Sequence, residues 1–229
     1  MQLSNYLSNL KWVTITFSRL VGEIENWIEV LVYFMSPVHK SPVKILLRNG
    51  DTLTVPGNYI FEAVAETLLL NVYGFQKLPS EAVVVDIGAS VGDFTLLASR
   101  DSGSRVYAFE PSYDAYSYME LNVASNRRGG IRMFNAPANG RTLDLILNEY
   151  GEPRIDFLKI DCEGCEYKVL LECSQADLAR VEKIAMEIHE VPEFSMPEMI
   201  MNLRRAGFSV SEWRGRGHGH YLFATRVLG

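Results

Sequence analysis

Cysteine is scarce in this chain: three among 229 residues. Three cannot build the multi-bridge framework of a small secreted domain, and an odd number points to a reducing, cytoplasmic setting. Basic residues are also in deficit, 22 Lys+Arg against 28 Asp+Glu, for a net charge of −6. That balance excludes a broad electrostatic grip on nucleic acid or on an anionic membrane, and leaves room only for a local basic patch. No apolar run approaches the roughly 18–20 residues of a membrane span. The most apolar stretch, at the N-terminus, is interrupted by Lys11, Arg19, Glu23, Glu25 and Glu29. It lacks the basic start and small-residue cleavage site of a secretory signal as well. There is neither an internal repeat nor a low-complexity tract. What is present is 48% hydrophobic and 22% charged residues, the composition of one large folded domain or two small ones.

Apolar positions from Leu3 through Leu10, Phe17, Ile24 and Leu31 to Phe34 fall at helical spacing. They predict one long or broken amphipathic helix, which buries its stripe on the core or forms a dimer seam or substrate lid. Pro37 and Pro42 end the pattern. Asn49-Gly50 between the β-rich runs 43–47 and 52–55 predicts a hairpin with a type I′ turn. Residues 60–73 return to helical period. Residues 1–75 are therefore expected to form a helical and hairpin extension, with the main domain over 76–229.

From Ala82 onward strands and helices alternate. Strands are predicted over 82–87, 105–109, 131–134, 155–160, 183–188, 207–213 and 220–227, with helices over 91–100, 112–125, 142–149, 166–172 and 197–206. Repeated βα units imply a parallel sheet with helices on both faces. The last two strands share a short turn and must pair antiparallel. The predicted fold class is α/β: a doubly wound, mostly parallel seven-stranded, Rossmann-like sheet closed by a C-terminal antiparallel hairpin.

The first strand runs into Asp86-Ile87-Gly88-Ala89-Ser90-Val91-Gly92-Asp93. Glycines there let the backbone approach a ligand at the carboxyl ends of the strands. A dinucleotide fingerprint would need three glycines as G-x-G-x-x-G, and two acids beside the loop would repel a pyrophosphate. They suit a cationic cofactor without phosphates. Asp-x-Gly-x-x-x-Gly is the pattern of S-adenosylmethionine sites. Glu110, 18 residues past Gly92 at the end of the second strand, is placed to accept both ribose hydroxyls.

Val85 to Gly92, Phe109-Glu110-Pro111, Leu121-Asn122, Thr142-Leu143-Asp144, Lys159-Ile160-Asp161-Cys162-Glu163-Gly164-Cys165-Glu166 and Glu187-Ile188-His189 follow in that order. Together, over residues 82–229, they resemble the FkbM family of methyltransferases. The resemblance implies S-adenosylmethionine-dependent O-methylation of a hydroxyl on a sugar, glycan or other small molecule. The expected cofactor-binding set is Asp86, Gly88, Ala89, Ser90, Gly92, Phe94, Glu110, Pro111, Asn135 and Asp161. Two departures stand out: the segment 135–141 is short, and cysteines occupy positions 162 and 165. The alternatives are methylation of RNA or protein on the same fold, or a cofactor-binding module without activity.

A neutral hydroxyl must lose a proton on methylation, so a positioned base is expected. Asp161 and Glu163 follow the fourth strand, and Glu187 and His189 share one face of the fifth. Asp161, His189 and Glu163 are the expected catalytic residues, with His189 accepting the proton near its ordinary pKa of about 6.5. Lys159 is expected to pair with one of these carboxylates. Asp161, Glu187 and His189 could also hold a divalent metal, but no metal is expected. Glu166 reads as a helix-start acid that favours the macrodipole. Cys162 and Cys165 read as small buried side chains, and not as a redox or zinc pair. Arg214 to His220 reads as a solvated turn. Tyr113, Tyr116 and Tyr118 read mostly as packing residues.

Overall fold

The computed structural model describes residues 16–35, 41–101, 103–214 and 219–227. Seven strands form one sheet: β3 (Val83–Ile87), β4 (Arg105–Phe109), β5 (Ile131–Phe134), β6 (Phe157–Ile160), β7 (Lys183–Glu187), β8 (Phe208–Arg214) and β9 (His220–Arg226). Their order is β5-β4-β3-β6-β7-β9-β8. The first five run parallel, while β9 pairs antiparallel with both β7 and β8. Every residue of β3 is buried, which is why its sequence is a continuous apolar run broken only by Asp86. Helices α2 (Asp93–Ala98), α3 (Tyr113–Asn126), α5 (Glu166–Leu171) and α7 (Met196–Arg205) make the crossovers. Thr142–Asp144 (α4) widens into a π-helical turn over Leu145–Glu149, and a short helix, α6 (Gln175–Leu178), follows α5.

The N-terminal region takes the broken form of the expected helix. Residues 16–23 are helical, the chain breaks at Ile24, and a new helix, α1 (Trp27–Met35), begins. The break has a tertiary cause. Ile24 bridges Leu47, and Glu25 N and Arg48 N donate to Leu46 O and Glu23 O across the gap. A third, short edge is thereby added to the hairpin β1 (Val43–Leu46) and β2 (Thr52–Val55). Of the apolar stripe, Leu20 and Ile24 are buried, Trp27, Leu31 and Phe34 pack partly against the same core, and Phe17 and Ile28 are exposed. Within one chain the stripe is thus only partly covered, and the calls on residues 1–15 lie outside the described residues.

The hairpin turn is also of another type. Gly50 has φ +89° while Asn49 does not adopt positive φ, Gly50 N donates to Leu47 O, and Leu47 N to Asp51 O. This is a three-residue loop with a bulge at Gly50 in place of the two-residue type I′ turn. On its free side, β2 is completed by two side-chain amides of α3. Asn122 and Asn126, four apart and so on one helix face, each accept from and donate to the backbone of Thr54 and Thr52 at 2.7–3.0 Å. Val43, Ile45, Leu53 and Val55 share one apolar core with Ala89, Val91, Met119 and Val123. The stretch expected to be helical over 60–73 is a π-helical segment, Phe61–Leu70, that ends at a left-handed Asn71.

Candidate active site

Parallel strands deliver their carboxyl ends to one rim of the sheet, and the candidate residues collect there. Asp86 lies near the end of β3, Glu110 follows β4, Asp161 follows β6 and Glu187 ends β7. The loop after β3 makes a close backbone approach. A Cβ on Gly88 would stand 1.6 Å from Asp161 O, and its φ is +75°. Only glycine fits that position. Gly92, at φ +83°, starts α2, and a Cβ there would meet the Met119 side chain at 2.8 Å.

Glu110 is buried and organises this loop. Its Oε2 accepts from Ser90 N at 2.8 Å and its Oε1 from Ser112 N at 2.7 Å. A carboxylate has about four acceptor positions, so two remain for a diol. Asn135 Nδ2 donates to Glu110 O at 2.9 Å and to Pro111 O at 3.2 Å, holding the second loop. Ala89 is buried beneath it. Phe94 is placed differently from expectation: its ring is 1% exposed and packs against Tyr73, Phe75 and Phe157. Being one of the largest buried side chains, it supports α2 from below and presents no ring to the crevice.

Beneath the loop lies a buried charge array. Asp86 is fully buried and accepts from Thr95 Oγ1 at 2.6 Å. Lys159 Nζ stands 3.2 Å from Asp86 Oδ1 and donates to Gly88 O at 2.7 Å. The ion pair leaves Oδ1 without a well-directed hydrogen bond. Lys159 thus pairs with Asp86, on the cofactor side, and not with the acids after β6 and β7. Burial alone would lower the Lys159 pKa, but the carboxylates of Asp86, Asp161 and Asp93 outweigh it and raise it. Asp93, at the start of α2, is pushed up to about 6 by burial, although Thr67 hydrogen-bonds it and Lys159 lies near.

The second half of the rim centres on His189. Its Nε2 lies 4.0 Å from Asp161 Oδ1 and 3.5 Å from Glu163 Oε2. Its Nδ1 lies 3.3 Å from Glu166 Oε1, which also accepts from His189 N at 2.8 Å. The hydrogen bond to Glu166, together with the charges of Glu166, Glu163 and Asp161, raises the His189 pKa to about 9 against its burial. The expected base near 6.5 is therefore an imidazolium at neutral pH. Glu187 is raised as well: burial and the nearby Asp161 and Glu66 push it up to about 7, with His189 opposing. Asp161, Glu187 and His189 each bring one ligand atom to within 4.8 Å of the others, so the grouping considered for a metal, and not expected to hold one, does assemble.

Four residues of this half were misread or missed. Glu166 stands in the first helical turn as expected, but it is fully buried and bonded to His189 and to Gly164 N at 2.9 Å, which makes it a brace as well. Its signal was available in the sequence, as the second acid of the Glu-Gly-x-Glu run. Tyr73 donates its hydroxyl to Asp161 Oδ2 at 2.5 Å from 88 residues away, and no local pattern announces that. Cys162 and Cys165 form a disulfide, with Cα atoms 5.5 Å apart, around the turn that carries Glu163 at φ +55° and Gly164 at φ +107°. Cys173 is free and buried. The reading of the pair as merely small side chains is thus corrected. Tyr113 is exposed, while Tyr116 and Tyr118 pack partly against the core. The turn at 215–218 lies outside the described residues.

The fold is that of class I methyltransferases, and comparisons with known proteins point to the same class. Residues 125–210 match the methyltransferase FkbM domain, and the resemblance to the FkbM methyltransferases stands. The chain is 23% identical to the 31-O-demethyl-FK506 methyltransferase FkbM of Streptomyces tacrolimicus, over 60% of this chain and 76% of that protein. It is 28% identical to the AMB antimetabolite synthetase AmbE of Pseudomonas aeruginosa, over 58% of this chain but only 10% of that protein. Among solved structures, SMU.1697c of Streptococcus mutans, in complex with SAH, superposes with a TM-score of 0.53 at 13% identity, covering 69% of this chain and 97% of the other. No helix among the described residues is long and apolar enough to cross a membrane.

Proposed function

We propose that this methyltransferase uses S-adenosylmethionine to methylate a hydroxyl on a small molecule or glycan. The observation that carries the reading is the acid-lined rim, where Glu110, Asp161 and Glu187 meet a glycine loop without phosphate-binding chemistry. A cationic cofactor fits it. Asp86, buried beneath that loop and 3.2 Å from Lys159, fixes it from below through the Gly88 carbonyl that Lys159 holds. Glu110 keeps two acceptor positions for a ribose diol. The solved relative that carries SAH and the O-demethylated acceptor in the name of the Streptomyces relative support the cofactor and the hydroxyl respectively.

When bound, S-adenosylmethionine supplies a methyl group on a good leaving group. The chain's own residues align the acceptor and take its proton. Asp86, Gly88, Ala89, Ser90, Gly92, Glu110, Pro111 and Asn135 form the cofactor side. Asp161, Glu163, Glu187 and His189 form the acceptor side. Because His189 is held as an imidazolium, it orients and neutralises, and the proton passes to a carboxylate beside it: Asp161, Glu163 or Glu187.

Calorimetry with S-adenosylhomocysteine, NAD and ATP tests the cofactor. Binding of the first alone is expected, and the reverse preference overturns the reading. Labelled methyl transfer to a panel of sugars, polyketide alcohols, RNA and peptides then tests the acceptor, with labelling of RNA or peptide alone refuting the hydroxyl assignment. On an acceptor so found, His189→Ala is expected to bind S-adenosylhomocysteine as the parent does and to lose about 10²-fold or more in kcat. Turnover at the parent rate would return the histidine to a purely structural role.

A further inference from the structure

We infer that Asp161, Glu187 and His189 form a binding site for one divalent first-row cation, open to the acceptor. The inference rests on the reading of this rim as the acceptor side and deepens it. The three inner ligand atoms converge within 4.8 Å. Atoms sharing an ion at about 2.0–2.2 Å lie roughly 3–4 Å apart, and the 4.0 Å between His189 Nε2 and Asp161 Oδ1 already meets that spacing. Two carboxylates and one neutral imidazole are a donor set for such ions, with positions left for water or an alcohol oxygen; binding the ion releases the proton that metal-free His189 carries on Nε2.

The outer atoms give the independent support. A ligating histidine characteristically gives its other ring N–H to a carboxylate, and a ligating carboxylate is itself hydrogen-bonded. Both features are built here from buried residues. Glu166, fully buried, engages His189 Nδ1 at 3.3 Å and its backbone N at 2.8 Å, which turns Nε2 toward Asp161. Tyr73, 4% exposed, donates to Asp161 Oδ2 at 2.5 Å and leaves Oδ1 facing the histidine. A purely structural salt-bridge cluster has no reason to fix both outer atoms from buried positions and leave both inner atoms accessible, yet the side chains of Asp161 and His189 remain about one-fifth exposed.

The site completes the chemistry of a hydroxyl acceptor. An alcohol oxygen entering an open position becomes more acidic as its lone pair binds the cation. Its O–H bond then breaks, the electron pair stays on oxygen, and the proton leaves to Glu163. That carboxylate is 88% exposed and 3.5 Å from His189 Nε2, and of the acceptor-side carboxylates Asp161, Glu163 and Glu187 it is the one the cation does not occupy.

The test uses the full chain, treated with chelator and titrated with Mn²⁺ while S-adenosylhomocysteine binding is followed separately by calorimetry. One Mn²⁺ per chain is expected, with the electron spin-echo modulation of a directly bound imidazole nitrogen. Affinity should fall at least tenfold in Asp161→Asn and in Glu187→Gln, and stay within about twofold of the parent in Glu163→Gln. The nitrogen signal is read on the unaltered chain, so it stands even where a variant fails to fold. Absence of Mn²⁺ binding up to millimolar concentration, or binding without a nitrogen signal, overturns the inference. If S-adenosylhomocysteine still binds in that case, only the metal site has failed; if it does not bind, the methyltransferase reading has failed with it.

Discussion

Asp93→Asn should make the protein more stable at neutral and alkaline pH. The carboxyl sits at the start of α2 with 7% of its surface exposed, and burial raises its pKa from 3.8 to about 6. Between those values the native state holds a proton that the unfolded chain has released. Stability from this group is therefore full below pH 4 and falls as pH rises to about 6, above which the loss is constant. The gap is worth about 3 kcal/mol at 1.36 kcal/mol per pKa unit. Asparagine carries no charge to bury and keeps an oxygen for the Thr67 hydroxyl that bonds Asp93. Lys159 retains Asp86 at 3.2 Å. Urea unfolding of parent and variant at pH 4 and pH 8 separates this effect from all other titrations, since only the difference between the two proteins is read. The variant should gain up to about 3 kcal/mol at pH 8 and nearly nothing at pH 4. A variant less stable than the parent at pH 8, or a difference that does not change with pH, would refute the reasoning.

Two further outcomes follow from the rim. Glu110→Ala removes the acceptors of Ser90 N and Ser112 N together with the diol's partner, so S-adenosylhomocysteine affinity should drop by about 1.5–3 kcal/mol in calorimetry; unchanged affinity would place the ribose elsewhere. Glu166→Gln removes the charge that raises His189 to about 9. By NMR on metal-free protein the ring should titrate closer to 6.5, and the stability His189 adds, present below pH 6.5 and lost as pH rises through about 9 in the parent, should shrink. A ring still titrating near 9 would assign the shift to Asp161 and Glu163 instead.

The sheet was legible because its strands are buried on both faces. Val83-Val84-Val85 has no polar side chain to confuse the period, and all three are at most 1% exposed. The glycine loop and Glu110 were legible because each is a local pattern with a backbone consequence. What failed to read was tertiary. A broken helix was readable, but the place of the break, Ile24, depends on a partner at Leu47. The Asn49-Gly50 turn is set by Asp51, which is buried and ion-paired to Arg100 and Arg128. An Asn-Gly pair alone cannot reveal that its neighbour is held from elsewhere. The same holds for His189: the residue was found, but its charge state depends on Glu166, a group the sequence places on the next helix without saying which way it faces.

The two halves of the rim differ in how much their chemistry depends on distant chain. On the cofactor side, Gly88 N donates to Phe109 O and Ser90 N to the Glu110 carboxylate, so a local motif carries the function. On the acceptor side, Asp161 is set by Tyr73 and His189 by Glu166, and Glu163 rides on a turn closed by Cys162 and Cys165. Changes in that supporting set can redirect the acceptor oxygen by an ångström without touching cofactor affinity. Acceptor choice should therefore diverge among chains that share the glycine loop, and substitutions at Tyr73 or Glu166 should act on kcat while leaving S-adenosylhomocysteine binding in place.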